Sequence, residues 1–274
     1  MTAVLHQSSI FIFFAVIVMC FFQNITCFNP RLLNVSRFES DWSIAGATWY
    51  GPPNGSGSDG GACGYKSAVG RFPFSSMVSS AGPSLFKSGQ GCGTCYQVKC
   101  TCNAACSQKP VTIVISDECP GCVSESAHLD MSGTAFGAMA ISGKADQLRN
   151  VGVLQVQYRR TECNYPGRNH SRLSSVKFQI DVGANPYYLS TVVEYLNGDG
   201  NLASMELEEA SNKNTWHQMD RLWGAVWKLN SGSELRAPFS IRMKAADCGK
   251  VLVANNVIPV GWKPGDIYWS HVNY

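Results

Sequence analysis

The chain has 274 residues, which is enough for one large domain or two of ordinary size. Hydrophobic residues make up 45% of it and charged residues 15%, so the sequence can bury a core and is not that of a disordered protein. The formal net charge of +3 is small and dispersed, which argues against a nucleic-acid-binding protein, because such proteins carry a clustered basic face. The 26 glycines and 12 prolines predict many turns and short strands.

The N-terminal segment from Ile10 to Phe22 is an unbroken apolar run. At a helical rise of about 1.5 Å per residue it is too short for a hydrocarbon core of about 30 Å, and its length is that of a signal-peptide h-region. We therefore predict a signal peptide over residues 1–27, a leader over 28–41 and a secreted, extracellular protein. A membrane anchor is the alternative interpretation. No later segment is apolar for long enough to span a bilayer.

In a secreted protein, an asparagine in an Asn-x-Ser/Thr triplet is a candidate for N-glycosylation. The four candidates for N-glycosylation are Asn24, Asn34, Asn54 and Asn169. Asn34 and Asn169 lie in polar segments and are the preferred sites, with Asn54 as a third.

The 12 cysteines are distributed unevenly. Beyond the predicted leader, nine lie between Cys63 and Cys163, and Cys248 stands alone in the second half. The odd number in the first half means that not every cysteine there can pair locally. Disulfides are the expected state in an oxidising compartment. A zinc site at the two C-x-x-C motifs, Cys92–Cys95 and Cys119–Cys122, is the alternative.

The chain divides at a polar linker over residues 164–175. In the second half, Val176–Val182, Ala203–Glu208 and Phe239–Ala245 alternate apolar and polar residues, as strands with one wet face do. With turn residues between them, they predict an antiparallel β-sandwich over residues 176–270.

The first half, residues 42–163, carries predicted strands joined by glycine-rich loops. The strands are expected at Tyr96–Lys99, Val111–Ser116 and Val153–Tyr158, and a short helix at Gly133–Ile141. Strands with long, disulfide-tied loops are typical of a closed barrel whose loops build a groove.

Two aspartates of this half are candidates for chemistry. Asp117 ends a β-rich run, and Asp130 follows His128 just before the predicted helix. A carboxylate at the end of a strand can act as a general acid, and two of them across a sugar form the glycosidase arrangement. In the structural alternative, Asp130 is a helix N-terminal residue and Asp117 is an acceptor that holds a loop.

The aromatic residues indicate a surface for sugars, because flat rings bury the C–H faces of sugars without charge. Trp49 and Tyr50 lie beside a flexible Gly/Ser-rich stretch. The second half adds Tyr187, Tyr188, Trp216, Trp223, Trp227, Trp262 and Trp269. Burial in the core is the alternative for most of them, and it is the preferred one for Trp227.

Five motifs in order then resemble one family, the plant β-expansins. They are Thr48-Trp-Tyr-Gly51, Gly61-Ala-Cys-Gly-Tyr65, Gly91-Cys-Gly-Thr-Cys-Tyr96, Ile115-Ser-Asp-Glu-Cys-Pro-Gly121 and His128-Leu-Asp-Met-Ser-Gly-Thr-Ala-Phe-Gly137. The resemblance runs from about Trp49 to the C-terminus. It implies a double-psi six-stranded β-barrel, related to family 45 glycoside hydrolases, followed by an immunoglobulin-like carbohydrate-binding sandwich.

The resemblance also implies the function: loosening of plant cell walls by disrupting noncovalent contacts between polysaccharides, without hydrolysis. The expected partners are cellulose and matrix glycans such as arabinoxylan. We expect no cofactor, no metal and no nucleic acid, a monomer, and membrane contact that is peripheral and confined to secretion. A family-45-like endoglucanase or lytic enzyme and a pure carbohydrate-binding or defence module are the competing interpretations.

Site residues are carried over from the family position by position. The implied groove consists of Thr48, Tyr50, Asp59, Asp117, His128 and Asp130. The implied polysaccharide-binding aromatics are Trp49, Tyr50, Tyr188 and Trp223. The base of the related hydrolases corresponds to Gly51, and without a carboxylate there an inverting mechanism has nothing to activate water.

The implied disulfides are Cys63–Cys92, Cys95–Cys163 and Cys100–Cys106, with Cys119–Cys122 as a further local pair. Cys102 and Cys248 depart from the family pattern and are expected to be free thiols, with a bond linking the two domains as the alternative. Leu129 replaces the Phe of the family motif and is expected to loosen the packing behind Asp130.

Overall fold

The computed structural model describes residues 41–59, 61–122, 127–167 and 175–274. The predicted signal peptide, residues 28–40 of the predicted leader, and the sequons at Asn24, Asn34 and Asn169 lie outside the described residues. No helix within the described ranges is long and apolar enough to cross a bilayer.

Six strands of the first half close into a barrel in the order β1-β5-β2-β4-β3-β6. They are β1 (Ser43–Tyr50), β2 (Val78–Ala81), β3 (Cys95–Lys99), β4 (Val111–Glu118), β5 (His128–Ser132) and β6 (Leu154–Thr161). The helices are α1 (Pro83–Phe86), α2 (Gly133–Ala138) and α3 (Ala145–Arg149), with 3₁₀ segments at Lys66–Gly70 and Lys87–Gly89. The barrel and its three predicted strands are confirmed, with bounds shifted by one to three residues.

Helix α2 ends three residues before its predicted end. Beyond Ala138 the backbone forms hydrogen bonds outside the helix, because Ala140 forms a β-bridge with Cys106. The Ile141 N–H donates to the carbonyl of Ala105 at 2.8 Å. These long-range bonds replace the helical ones.

The second half forms one eight-stranded sheet in the order β13-β12-β9-β10-β11-β8-β7-β14, folded around its own core. Its strands are β7 (Lys177–Ile180), β8 (Tyr188–Glu194), β9 (Leu202–Glu209), β10 (Trp216–Trp223), β11 (Val226–Asn230), β12 (Phe239–Ala245), β13 (Val251–Ile258) and β14 (Ile267–Trp269). The start of β10 pairs with β9 and its end with β11, so β10 joins the two faces of the sandwich.

The alternation predicted for Val176–Val182 is wrong in two places. Lys177, expected on a wet face, is buried, and its Nζ lies 2.8 and 3.0 Å from the two carboxylate oxygens of the buried Glu194. The ion pair is what permits a lysine to be buried. Val182 lies beyond the end of β7 and is exposed.

In the segment Ala203–Glu208, Met205 and Leu207 are buried as predicted, but Ala203 is exposed. Leu202 is buried in its place, because the register between β9 and β12 shifts where Ala245 pairs with Leu202.

The part of the chain that the structure describes contains four disulfides: Cys63–Cys92, Cys95–Cys163, Cys100–Cys106 and Cys119–Cys122. They are the four pairs that the family resemblance implies. Because all four sulfurs of the two C-x-x-C motifs are oxidised, the zinc alternative is wrong. Cys102 and Cys248 are free and exposed, so the alternative of a bond between them is wrong as well.

The barrel and the sandwich contact each other through backbone bonds and aromatic packing, and they lie within one compact unit. The Ala225 N–H donates to the carbonyl of Cys63 at 3.0 Å, and Cys163 and Gly198 exchange two backbone hydrogen bonds of 2.8 and 2.9 Å. The contact fixes the sandwich against the loops of the barrel.

Candidate functional site

The centre of the candidate groove is a hydrogen-bonded chain between two adjacent parallel strands. Thr48 on β1 is the register partner of Asp130 on β5. The Thr48 hydroxyl donates to Asp130 Oδ1 at 2.6 Å and lies 3.0 Å from His128 Nε2. Since a hydroxyl has one hydrogen and the carboxylate only accepts, His128 Nε2 must carry the hydrogen that the Thr48 oxygen accepts. The chain therefore runs from His128 through Thr48 to Asp130.

Strand alternation explains why these side chains share one face. On β5, Leu129 and Met131 are completely buried in the barrel core, so His128 and Asp130 project on the other side. Leu129 packs there without exposure, so the structure gives no sign of the loosened packing expected from the missing Phe. Asp130 lies within β5 and not in a helix, because Ser132 is the N-cap of α2 and accepts from the Ala135 N–H.

Asp117 lies on the same sheet but is engaged differently. Its Oδ1 accepts the backbone N–H groups of Ala62 and Glu118 at 2.6 and 2.8 Å, and its Oδ2 accepts from the Ser58 hydroxyl at 3.2 Å. These contacts correspond to the loop-holding alternative from the sequence. The carboxylate can still accept from a ligand, but its strongest bonds are already made to the backbone.

Ser80 on β2 lies between the two aspartates in the sheet. It is the register partner of Asp130 on one side and of Asp117 on the other. The two aspartates are therefore two strands apart, about 10 Å between their Cα atoms at the usual strand spacing. The sequence carried no signal for Ser80, because only the pairing of three strands distant in sequence reveals its place.

Tyr50 and the loop that follows it form one wall of the groove. The Tyr50 ring lies against Gly57, where a Cβ would fall 2.3 Å from the ring. Asp59 is exposed further along this loop, next to the Ser58 that binds Asp117. Among the described residues, no hydrogen bond joins Asp59 to Asp130.

Trp49 is separated from Thr48 and Tyr50, since neighbouring residues of a strand point to opposite faces. Its ring packs partly buried against the barrel core, and its indole N–H donates to the carbonyl of Arg149 at 3.0 Å. The structure therefore joins Thr48, His128 and Asp130, keeps Tyr50 on their face of β1, and places Trp49 behind them.

Trp223 and Trp227 are four residues apart but lie on different strands. Trp223 ends β10 and is 45% exposed, whereas Trp227 on β11 is buried. Gly224 between them has φ +49°, and a Cβ there would fall 2.4 Å from the carbonyl oxygen of Ala62. A tight turn at Gly224 thus sends the two indoles to opposite sides.

The exposed indole of Trp223 reaches the barrel. A Cβ added to Gly64 would fall 3.0 Å from the far edge of the indole ring, so Trp223 lies over the loop of the first disulfide. Tyr188 at the start of β8 is half-buried, and its neighbour Tyr187 is the more exposed ring of the pair. The family resemblance implied Tyr188 as the binding residue.

The remaining tryptophans of the sandwich are partly buried. Trp262 packs against Phe239 in the core, and Trp269 stacks on Tyr195 with ring centroids 5.9 Å apart. Trp216 lies beneath the guanidinium of Arg242, 4.4 Å from its ring centroid. None of these three is an open sugar platform of the kind that Trp223 offers.

Arg221 is a residue of this region that sequence reasoning missed. Its guanidinium lies 4.5 Å from the centroid of the Trp227 ring and donates to the carbonyls of Gly224 and Leu202 at 2.6 Å each. Burial lowers the pKa of Arg221. Arg221 fixes the turn that exposes Trp223.

Comparisons with known proteins follow the same division of the chain. A family model described as lytic transglycolase matches residues 78–158, and one described as expansin C-terminal domain matches residues 176–259. Expansin-B11 of Oryza sativa subsp. japonica is 57% identical over 237 residues, covering 85% of this chain and 78% of its own length. Expansin-B4 of Arabidopsis thaliana is 54% identical over 232 residues, covering 84% and 86%.

Among solved structures, a mutant of the Clavibacter michiganensis expansin in complex with cellohexaose has a similar fold. The TM-score is 0.62 at 18% identity, covering 85% of this chain and 98% of that one. The apo form of the same expansin gives a TM-score of 0.61. At this identity the likeness concerns the fold.

Proposed function

Because this chain belongs to the expansin family, we propose that it loosens plant cell walls by disrupting noncovalent contacts between wall polysaccharides. Its partners are cellulose and matrix glycans such as arabinoxylan. The observation that carries the proposal is the chain His128–Thr48–Asp130, in which one side-chain hydrogen bond holds the Asp130 carboxylate at the groove. A carboxylate held in this way accepts hydrogen bonds from sugar hydroxyls, and such bonds to a charged acceptor are strong.

Two features support action without hydrolysis. Gly51, which corresponds to the base of the related hydrolases, has φ +74°, and a Cβ there would fall 2.4 Å from the Gly57 carbonyl oxygen. A side chain of any kind, a carboxylate included, would require the loop to move. Asp117 is already bonded to two backbone N–H groups. Gly51 therefore supplies no base that could activate water opposite Asp130, and the contacts of Asp117 favour a role in holding its loop.

Residues of both the barrel and the sandwich are proposed to bind the polysaccharide. Trp223 supplies an exposed aromatic plane next to the barrel, and Tyr50 supplies a second ring on the Asp130 side. Trp49 and Tyr188, which are less open, would take part at the edges, and Asp59 would contact the polymer from its loop. The complex of the Clavibacter michiganensis expansin with cellohexaose favours a linear glucan as one ligand.

The extracellular localisation of the protein is proposed from its disulfide bonds. Four disulfides are typical of an oxidising, extracytoplasmic compartment. We propose cleavage of a signal peptide, export to the cell wall as a monomer, and N-glycosylation at Asn34, Asn169 and Asn54.

A paired assay tests the proposal. Isolated, heat-inactivated walls under constant load are treated with the purified protein, and their extension is recorded. The same samples are analysed for new reducing ends and for anhydro-sugar ends, because the barrel matches a family model described as lytic transglycolase. Extension without products is expected. Products in proportion to extension would support an enzyme, and binding with neither effect would support a pure binding module.

A further inference from the structure

The disulfide between Cys119 and Cys122 differs in exposure from the three other disulfides in the described ranges. Both of its cysteines are partly exposed, and Pro120 and Gly121 between them are exposed. A Cβ added to Gly121 would meet no atom within 4 Å, so the turn borders open space. The other six disulfide-bonded cysteines are only 0–5% exposed. A small reagent can therefore reach Cys119–Cys122 far more readily than the others.

The same bond closes the shortest loop among these four disulfides. Its two cysteines are 3 positions apart, against 6, 29 and 68 for the other pairs. A disulfide restricts the unfolded chain less as its loop shortens, so opening this bond should destabilise the fold least. Exposed disulfides are the labile ones in exchange with thiols, whereas buried ones are structural. Cys119–Cys122 can thus be reduced while the rest of the protein stays folded.

The turn that this disulfide closes is attached to the groove strands. The Cys119 N–H donates to the Ala81 carbonyl at 2.9 Å, and the N–H of the next residue, Gly82, donates to the His128 carbonyl at 2.9 Å. A Cβ added to Gly82 would fall 3.4 Å from the Cβ of Cys122 and 3.7 Å from the Cβ of His128. Cys122 and His128 therefore lie on the same side of Gly82.

The position of the disulfide connects it to the groove carboxylates. His128 is the first residue of β5 and begins the hydrogen-bonded chain that holds Asp130. Asp117 on β4 lies two residues before Cys119. The disulfide thus lies on the connection between the two strands that carry the groove aspartates. Opening it removes a covalent constraint beside His128, whose distance from the Thr48 hydroxyl depends on the start of β5.

We propose that Cys119–Cys122 is a site of thiol–disulfide exchange with a small extracellular thiol of the glutathione type, and that its reduction lowers wall loosening by releasing His128. The thiolate of one small thiol attacks one sulfur of the bond, and the other cysteine leaves as a thiolate that takes up a proton. A second small thiol then attacks the mixed disulfide and frees the remaining cysteine. The protein gains two electrons and two protons, and the two small thiols become one disulfide. The effect on wall loosening rests on the proposed function, but the exchange itself does not.

Selective labelling of the full, folded protein tests the exchange. The free thiols of Cys102 and Cys248 are first blocked with N-ethylmaleimide, since both are exposed. The protein is then treated with millimolar glutathione, and the thiols and mixed disulfides that appear are trapped and located by mass spectrometry. We expect Cys119 and Cys122 to react at least about tenfold faster than any other disulfide-bonded cysteine. Equal reaction of all four pairs, earlier reaction of another pair, or no reaction would overturn the proposal.

Two double variants test the consequence for the groove. Cys119→Ser/Cys122→Ser cannot form the bond, and Cys102→Ser/Cys248→Ser is the matched control because it removes two unbonded cysteines. Wall extension and hydrogen exchange of the β5 amides are measured with and without glutathione. With glutathione, the parent and the control should exchange these amides faster and extend walls about threefold more slowly, because a binding group acts only where it is held in place. Cys119→Ser/Cys122→Ser should behave like the reduced parent under both conditions.

A glutathione response that persists in Cys119→Ser/Cys122→Ser would overturn the assignment to this bond. Full wall extension by the reduced parent, or unchanged exchange of its β5 amides, would overturn the proposed effect on His128. If the oxidised parent itself extends no walls, the proposed function fails, and the labelling and the β5 exchange still decide this proposal.

Discussion

The Thr48 hydroxyl and the Asp130 carboxylate form a 2.6 Å hydrogen bond between register partners on neighbouring parallel strands. The two residues are 82 positions apart in sequence. The bond holds the carboxylate at the groove face. The Thr48 hydroxyl oxygen and Asp130 Oδ1 each keep a further lone pair that can accept a hydrogen bond from a sugar hydroxyl.

Replacing Asp130 by Asn should remove most wall-loosening activity. The change is nearly isosteric, so the charge is what is lost, and a hydrogen bond to a charged acceptor contributes about 1.5–3 kcal/mol. We expect at least about a tenfold lower extension rate at equal protein concentration. The melting temperature should stay close to that of the parent. A folded Asp130→Asn protein that extends walls normally would show that Asp130 is not the acting group.

Asp117→Ala should act on stability instead. The substitution leaves the N–H groups of Ala62 and Glu118 without their acceptor, at a cost of about 2 kcal/mol. Chemical denaturation should show the loss, and the loop near Ser58 should exchange its amide hydrogens faster. Unchanged stability with lost wall extension would mean that Asp117 acts on the polysaccharide directly.

Trp223→Ala and Trp227→Ala form a matched pair on either side of the Gly224 turn. Trp223→Ala should weaken binding to insoluble wall polysaccharide by about 1 kcal/mol or more through lost apolar contact, with little change in stability. Trp227→Ala should cost about 3–5 kcal/mol of folding free energy because it opens a core cavity. Pull-down isotherms and thermal melts distinguish them. If Trp223→Ala lowers the melting temperature sharply and binding persists, the aromatic platform lies elsewhere.

The cysteines should divide into two classes. Cys102→Ser and Cys248→Ser are expected to be neutral, since both thiols are free and exposed. Removing Cys95–Cys163 as a double Ser variant should cost about 4 kcal/mol, because the bond closes a loop of 68 residues. Peptide mapping without reduction and denaturant melts check both statements. A Cys102–Cys248 peptide would contradict the assignment.

The ion pair of Glu206 with Arg242 predicts a defined pH dependence. Hydrogen bonding by the Arg242 guanidinium, at 2.5 and 2.7 Å, lowers the pKa of Glu206 below its usual value of 4.5. A lowered pKa in the folded state stabilises the fold above the unfolded pKa, and the gain is lost as the pH falls through the folded value. Glu206→Gln should therefore cost about 0.5–1 kcal/mol at pH 7 and progressively less as the pH falls below 4.5 towards 3. Urea melts at the two pH values measure the difference, and an equal cost at both would refute it.

Local patterns in the sequence predicted many of the strands and the disulfide pairs. A β-rich run predicted the strand at Val111–Ser116, alternation predicted the strand at Phe239–Ala245, and the motif resemblance implied the four disulfide pairs. These features depend on neighbours in the chain or on a recurring order of motifs. The burial of Lys177 could not be predicted from local patterns. A lysine is stable in the interior only when its charge is paired, and the partner here, Glu194, belongs to another strand.

The sequence by itself determined a β-rich, disulfide-bonded chain of two parts and a resemblance to one family, because composition, periodicity and motif order are properties of the chain alone. The tertiary structure decided which carboxylate is bonded to a threonine hydroxyl and which to backbone N–H groups, which tryptophan is exposed, and which lysine is buried. Each of these depends on contacts between strands or loops that are distant in sequence. Burial and hydrogen-bond partners exist only once the backbone has closed around them.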